Sequence, residues 1–162
     1  MAGQASFPVS IRVEEAPFDP TAELARLSGA DDMGAVVSFT GLCRGEGGRL
    51  AALELEHYPG MVEAELARLI AEAGRRWPLL AVTVIHRHGR IAVGEPIVLV
   101  ITASAHREAA FSAAAFLMDW LKTRAPFWKR EIAADGTPGG WIEAKADDDA
   151  AASRWDAPEA AQ

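Results

Sequence analysis

The organisation of this chain follows from one stretch, Leu121-Lys122-Thr123-Arg124-Ala125-Pro126-Phe127-Trp128-Lys129-Arg130-Glu131. The sequence has 16 basic residues, but only three are lysines, and two of those three, Lys122 and Lys129, lie here. Pro126 stands between them, and proline interrupts a helix because it lacks the N–H donor and restricts the preceding residue. The stretch therefore predicts a helix that carries Lys122 at its end, a sharp turn, and a strand that carries Lys129.

The sequence on either side predicts a mixture of helices and strands. Alternating or β-rich apolar patterns predict strands at residues 7–13, 33–40, 50–57, 80–87, 96–104, 127–132 and 140–144. Helical spacing and capping signals predict helices at residues 20–29, 61–77 and 106–123. Residues 33–40 are expected to form a buried strand, residues 41–48 a mobile loop, and residues 89–95 a connector. The order β-α-β-β-α-β-β-α-β-β indicates an α+β fold in which helices pack on a mixed sheet.

The third predicted helix is apolar on much of its circumference. Its expected core stripe consists of Phe111, Ala114, Met118 and Leu121, and the larger side chains on its other side are Phe116 and Trp120. A second apolar face implies either deep burial or a surface for a partner.

The totals limit the classes of function. A length of 162 residues fits one domain, which we place at residues 1–155, followed by a disordered tail at residues 156–162. The single cysteine, Cys43, excludes an internal disulfide framework and a cysteine-rich zinc site. No signal peptide and no apolar run of membrane-spanning length is evident, so we expect a cytoplasmic protein without membrane contact. The net charge of −7 argues against nucleic-acid binding but leaves room for a local cationic pocket.

Lys122 is the strongest candidate for chemistry. By the helical repeat it falls at the edge of an apolar stripe, where a lysine either extends its ammonium group to solvent or is desolvated and reactive. Three further cations, Arg124, Lys129 and Arg130, lie close to it in sequence. A lysine in such company can act as a nucleophile or a base.

Two further segments are candidates for anion binding. His106 and Arg107 stand where a strand leads into a helix, and the free N–H groups of a helix N-terminus favour phosphate. Arg44 lies in a glycine-rich loop that could close over an anionic ligand, although the loop is not a Walker motif. Taken singly, His106 and Arg107 are equally well explained as an ordinary exposed first turn, and the Arg44 segment is better explained as a flexible surface loop.

Three other patterns have simpler explanations. Cys43 beside Arg44 would suit a thiolate nucleophile, but a lone loop cysteine is more often incidental. His86 and His88 share a strand face with metal-ligand spacing, yet no third ligand is apparent, so we expect no metal and no cofactor. Glu54 and Glu56 are most simply a solvated strand face.

Four segments of the chain resemble the large, catalytic subunit of molybdopterin synthase. They are Leu55-Glu56-His57-Tyr58-Pro59-Gly60-Met61, Val84-Ile85-His86-Arg87, Ala105-His106-Arg107 and the opening stretch at residues 121–131. The similarity runs in order from Met33 to Trp155, and the Lys-Thr-Arg-Ala-Pro-Phe-Trp-Lys-Arg-Glu motif is long and unusual. The loop at residues 42–48 departs from the pattern, so Cys43 is not expected to be required.

The resemblance implies an α/β hammerhead fold with a small strand-rich subdomain. It also implies a homodimer that binds a small ubiquitin-like sulfur-carrier subunit at each end, as a heterotetramer. The expected reaction inserts two sulfurs into cyclic pyranopterin monophosphate to form the dithiolene of molybdopterin. Each sulfur would arrive as a thiocarboxylate on the C-terminal glycine of the carrier.

The resemblance also assigns roles to residues. Lys122 and Lys129 match the catalytic lysines, and the substrate-binding positions are matched by Arg44, His106, Arg107, Arg130 and Glu131. Two alternatives remain open: a sulfurtransferase that uses a persulfide on Cys43, and a phosphate- or nucleotide-binding module without chemistry.

Overall fold

The computed structural model describes residues 4–27, 30–142 and 153–156. Within these ranges the strands are β1 (Val9–Glu14), β2 (Ala35–Leu42), β3 (Leu50–His57), β4 (Leu79–Arg87), β5 (Gly89–Ala92), β6 (Pro96–Ser104), β7 (Phe127–Ala133) and β8 (Pro138–Ile142). The helices are α1 (Pro20–Ala25), α2 (Met61–Arg76) and α3 (Arg107–Thr123), and one 3-10 turn spans Glu46–Gly48.

The first sheet has the strand order β1-β4-β6-β2 and carries the larger core. β1 is parallel to β4, and the β4–β6 and β6–β2 pairs are antiparallel. The two central strands are almost wholly buried because their runs of β-branched residues are covered on one face by helices α2 and α3. The other face receives Phe18 and Leu27 from the α1 region, over Ile85, Leu99 and Ile101.

The second sheet has the strand order β5-β3-β7-β8 and is antiparallel throughout. β3 and β7 pair so that Leu55 lies opposite Lys129 and Glu54 opposite Arg130. The predicted α+β class is confirmed, and this second sheet is the strand-rich part of the fold. It covers one end of the first sheet, where Leu55 and Phe127 pack near Cys43 and Ile91.

Two predictions about strands were wrong. Residues 33–40 were expected to be a buried strand, but β2 is an edge strand that pairs with β6 alone, and Val36 and Phe39 are 43% and 41% exposed. A β-rich run does not distinguish a central strand from an edge strand. Residues 89–95 were expected to be a connector, but they include β5, which pairs with β3 through Ile91 opposite Leu53.

The predicted faces of α3 also need correction. Phe111 was placed in the core stripe but is 62% exposed, whereas Phe116 is fully buried and Trp120 is 8% exposed. Helix α3 buries one face against the first sheet and another against α2, where Phe116 meets Trp77 edge to face. A helix covered on two sides has a broad apolar arc, so the hydrophobic spacing alone did not identify the exposed side.

A short segment near the C-terminus is anchored on α3. Arg154 Nη2 and Trp155 Nε1 each donate a hydrogen bond of 2.6 Å to Asp119 Oδ2. The ring of Trp155 also packs edge to face on Trp77 and Phe116. The predicted disordered tail lies, apart from Asp156, outside the described residues. Among the helices described, none has the length and apolar character required to cross a membrane.

Candidate active site

The stretch at residues 121–131 folds as its sequence predicts, as a helix end, a turn and a strand. Lys122 lies in the last turn of α3, where the N–H groups of Arg124 and Ala125 both donate to the Trp120 carbonyl. The chain then turns at Pro126, and Phe127 N–H donates to the Ala125 carbonyl before β7 begins. Lys122 and Lys129 are thus carried by different elements across a fixed turn.

Both lysines line one cavity of about 730 Å³. The cavity lies where β2 and β4 end and β6 begins, beneath the last turn of α3 and beside β7. Four cationic side chains line it, namely Arg44, Lys122, Arg124 and Lys129, and none of the described lining residues is acidic. In a protein of net charge −7 this local excess of positive charge favours an anionic occupant.

The remainder of the cavity wall is largely apolar. The apolar lining includes Phe39, Leu42, Leu53, Leu55, Ile97, Val98, Met118, Leu121, Phe127, Trp128 and Ile142. Apolar walls lower the local dielectric, which strengthens the attraction between a cation and a bound anion. The flat ring of Trp128 and the stacked Phe127 also offer surfaces for a planar heterocycle.

Arg44 reaches the cavity from the segment that follows β2. Its side chain is 80% exposed and forms an ion pair of 3.2 Å with Glu46. The base of this loop is tied to the β5–β6 turn, because Cys43 N–H donates to the Glu95 carbonyl and Gly94 N–H donates to the Cys43 carbonyl. Arg44 is therefore an exposed cation on an anchored loop, able to exchange Glu46 for a ligand.

Arg130 and Glu131 are not among the residues that line the cavity. Arg130 Nη2 donates to Glu54 Oε1 at 3.0 Å, and its guanidinium lies 4.9 Å from the centre of the Trp141 ring. Glu131 accepts a hydrogen bond of 2.7 Å from Arg49 Nη1. These contacts brace β7 within the second sheet, beside Lys129.

His106 and Arg107 lie at the opposite end of α3 from Lys122. His106 is the N-cap residue, Arg107 is the first helical residue, and both are exposed. At 1.5 Å per residue, the 15 residues from Arg107 to Lys122 span about 22 Å. Within one chain, therefore, these two residues do not meet the lysines.

Cys43 does not have the properties of a reactive thiol. It is only 2% exposed and packs with Leu55 and Ile91. Burial raises the pKa of the Cys43 thiol, which disfavours the thiolate needed for nucleophilic attack. Both properties argue against the persulfide alternative.

One cavity residue, His86, is not among the site residues that the sequence predicts. It lies near the end of β4, is 8% exposed, and stacks on Phe127 with 3.9 Å between ring centres. Burial lowers the pKa of His86 to about 4, so its imidazole is neutral at physiological pH. The signal that could have found it is a histidine in a buried strand directly before Arg87, next to a segment already quoted for the family resemblance.

The two residues that follow His86 have other roles. Arg87 is buried and donates to the carbonyls of Glu15 and Pro96 and to the Glu95 carboxylate. His88 lies against His57, with ring centres 4.4 Å apart. Among the described residues, no cluster of three or more His, Cys, Asp or Glu side chains is arranged to hold a metal ion.

Comparison with known proteins places these features in a family. The model of the MoaE protein family matches residues 13–124. A molybdopterin synthase catalytic subunit from Mesorhizobium japonicum is 63% identical over 147 residues, which cover 90% of this chain and 92% of the relative.

Solved structures agree with the sequence match. The molybdopterin biosynthesis MoaE protein from Burkholderia ambifaria has a TM-score of 0.77 and 45% identity, covering 92% of this chain and 99% of its own. A molybdopterin synthase from Staphylococcus aureus has a TM-score of 0.70 and 31% identity, covering 80% of this chain and 96% of its own. The family model matches more than half of the chain, and the chain covers 92% of the Mesorhizobium japonicum relative. The chain therefore belongs to the MoaE protein family.

Proposed function

We propose that this chain is the catalytic subunit of a molybdopterin synthase. In this function it transfers sulfur from the C-terminal thiocarboxylate of a small ubiquitin-like carrier to cyclic pyranopterin monophosphate, in the cytoplasm, with residues 1–155 as one functional domain. The observation that carries the proposal is that Lys122 and Lys129, from two different elements, line one cationic cavity without a described acidic lining residue. The shared name of the curated relatives supports it.

The charge of the cavity suits both substrates. A phosphate ester and a thiocarboxylate are each anionic at neutral pH, and each gains charge-assisted hydrogen bonds from lysine and arginine. Arg44 and Lys129 hold the phosphate in this proposal, since one lies on an exposed loop and the other on the braced strand β7. Arg130 and Glu131 then contribute by fixing β7 rather than by touching the phosphate.

Lys122 is assigned to the chemical step. The thiocarboxylate sulfur first forms a bond to a side-chain carbon of the pterin and displaces the oxygen held there. Water then attacks the carrier's carbonyl carbon and breaks its bond to sulfur, so that the sulfur stays on the pterin and the carrier leaves as a carboxylate. Negative charge develops on the carbonyl oxygen during this step. A lysine ammonium group beside apolar walls can stabilise that charge or deliver a proton. Lys122 follows Leu121 and Met118 in the last two turns of α3, and all three residues line the cavity.

The carrier is proposed to dock beside the cavity at an exposed apolar patch. Tyr58, Met61 and Trp128 are 58%, 55% and 40% exposed, and the rings of Tyr58 and Trp128 meet edge to face at 5.2 Å. Trp128 belongs to both this patch and the cavity wall. A carrier bound here would need only its flexible C-terminal segment to enter the cavity.

A second copy of the chain is proposed to supply His106 and Arg107. The edge strand β2 exposes apolar side chains, and Phe111 of α3 is exposed as well. The two ends of β2 lie near the two ends of α3, because Ala35 pairs with Ser104 and Gly41 pairs with Val98. Antiparallel pairing of β2 with its symmetry mate would bring His106 and Arg107 of one chain to the Lys122 end of the other.

Complementation between two inactive variants tests this shared site. Lys122→Ala and Arg107→Ala are each expected to be inactive alone. In mixed dimers one of the two sites carries both substitutions and the other carries neither, so refolding an equal mixture should restore about a quarter of the wild-type activity. No recovery, with mixed dimers shown to form, would contradict a site built from two chains.

The function itself is tested by mixing the protein with thiocarboxylated carrier and cyclic pyranopterin monophosphate, then measuring dithiolene product. The alternative of a non-catalytic phosphate-binding module predicts binding of the pterin without product. Product that also forms without the protein, or never forms with it, would overturn the proposal.

A further inference from the structure

We propose that His86 is a further substrate-binding residue, which accepts a hydrogen bond at Nε2 from an N–H group of the substrate's heterocyclic ring. This inference rests on the proposed function, because it takes the occupant of the cavity to be a pterin. It assigns a hydrogen-bonding role to a residue that the charge pattern of the site does not identify.

The backbone fixes which nitrogen of His86 carries the proton. Nδ1 lies 2.8 Å from the carbonyl oxygen of Arg87. A carbonyl oxygen only accepts, so Nδ1 must donate, and in the neutral ring the other nitrogen, Nε2, then carries a lone pair. Nε2 is therefore the ring nitrogen left to interact with an occupant of the cavity, and it interacts as an acceptor.

The ring is held in place from several sides. His86 belongs to the central strand β4, where it lies opposite Val98 of β6, and both residues line the cavity. Its ring is stacked on Phe127 with an interplanar angle of 21°. A buried ring with a fixed tautomer presents its acceptor at a defined position, which is what orientation of a bound ring requires.

Few side chains that line the cavity can accept a hydrogen bond from a ring N–H group. Lysine and arginine have donors only, and the indole of Trp128 is also a donor. The hydroxyl groups of Thr40 and Thr123 can accept, but they donate as well, and Thr123 Oγ1 donates to the Asp119 carbonyl at 2.9 Å. Among the described lining side chains, neutral His86 is the one restricted to accepting at its remaining polar atom.

The surroundings keep the acceptor available. Burial lowers the pKa of His86 to about 4, with smaller contributions in the same direction from His57 and His88. The imidazole is therefore neutral through the physiological range, and Nε2 does not become a donor that would repel an N–H group. Arg44 and Lys129 can then hold the phosphate while His86 accepts a hydrogen bond from the neutral ring.

Three substitutions distinguish the effect of the Nε2 acceptor of His86 from the effect of the size and shape of its side chain. His86→Asn keeps a group at the Nδ1 position that can donate to the Arg87 carbonyl but lacks the distal acceptor. His86→Gln extends to the Nε2 position and places a carbonyl oxygen there. His86→Phe retains a ring to stack on Phe127 but has no polar atom.

The measurement is the Kd of each variant for cyclic pyranopterin monophosphate in the absence of the carrier, with inorganic phosphate as the second probe. We expect Asn and Phe to weaken pterin binding about tenfold and Gln to retain it within about threefold. Phosphate binding should be the same in all four proteins. Thermal unfolding shows that each variant is folded under the conditions of the binding measurement.

Two results would overturn the inference. One is pterin binding by His86→Asn equal to that of wild type. The other is parallel weakening of pterin and phosphate by all three variants, which would mean that His86 only shapes the cavity. Product formation by the wild type is measured on the same preparations. If the wild type turns over normally and either result is found, only the role of His86 is excluded. If the wild type neither binds the pterin nor forms product, the proposed function is excluded as well.

Discussion

At the scale of single residues, the two lysines of the cavity differ in their exposure and in the elements that carry them. Lys122 is exposed at the end of a helix, beside apolar side chains, whereas Lys129 is half-buried in a strand between β3 and β8. The turn at Pro126 sets their separation. This difference in setting is the basis for assigning chemistry to one and phosphate binding to the other.

Replacing each lysine should therefore affect a different kinetic constant. We expect Lys122→Ala to lower kcat by at least about a hundredfold with little change in pterin affinity. Lys129→Ala should chiefly raise the KM for the pterin. Steady-state kinetics with saturating carrier distinguishes the two, and Arg75→Ala, at an exposed position on α2, serves as the control. A purely structural or binding role for Lys122 is indicated if its variant keeps the wild-type kcat.

His86 also predicts a pH dependence of stability. Its pKa is about 4 in the folded protein, against an ordinary value of 6.5, so the unfolded chain takes up the proton first as the pH falls. His86 therefore destabilises the fold progressively between pH 6.5 and 4, by up to about 3 kcal/mol. The free energy of unfolding of His86→Gln should lose less across this window than that of wild type. Parallel curves for the two proteins, from denaturant titrations at each pH, would contradict the assignment.

The sequence was informative at this scale where charge and spacing were unusual. The cluster around Lys122 and Lys129 was found because lysine is scarce in this chain. His86 was missed because a histidine in a buried strand looks like core, and its tautomer depends on a backbone carbonyl. The separation of His106 and Arg107 from the lysines follows from the predicted length of the helix at residues 106–123, although matching motifs alone groups all four residues in one site.

At the scale of elements, α3 carries much of the structure. It supplies Lys122 at one end and His106 and Arg107 at the other, and it is held by the sheet, by α2 and by the segment at residues 153–156. Its bounds agree with the prediction because His106 and Pro126 mark its two ends. The prediction of its exposed face was wrong, because a helix buried on two sides has apolar residues around most of its circumference.

The anchor on Asp119 can be tested without touching the cavity. Asp119→Asn weakens two charge-assisted hydrogen bonds, from Arg154 and Trp155, and is expected to lower the free energy of unfolding by about 1–3 kcal/mol. Asp31→Asn, at an exposed position in a turn, should change it by less than about 0.5 kcal/mol. Chemical denaturation measures both. Equal stability of the two variants would show that the segment does not contribute to the fold.

At the scale of the whole molecule, the proposed function depends on contacts between chains. The sequence indicated an apolar excess on the third helix, and the structure exposes apolar side chains on β2, at Phe111 and on the Tyr58–Trp128 patch. The first two lie beside each other and are proposed to meet a second copy. The third adjoins the cavity and is proposed to meet the carrier.

The proposed pairing of β2 between two chains can be tested by placing a single charge on either edge of the first sheet. Val36→Lys places a charge on the exposed edge β2 and should convert dimers to monomers with loss of activity, because each cavity would lose the partner's His106 and Arg107. Val9→Lys places the same charge on the opposite edge, β1, where the valine is 38% exposed, and should leave the dimer intact. Sedimentation equilibrium reports the state of each. A Val36→Lys dimer with full activity would refute the proposed pairing.

A single-turnover measurement of dithiolene product tests the proposed sulfur transfer and the role of Lys122 together. Purified protein is mixed with excess thiocarboxylated carrier and cyclic pyranopterin monophosphate, and product and consumed carrier are counted together. We expect wild type to form one molybdopterin for every two thiocarboxylates consumed, and folded Lys122→Ala to form it at least about a hundredfold more slowly. Absence of product with wild type, or product at the wild-type rate with Lys122→Ala, would contradict this expectation.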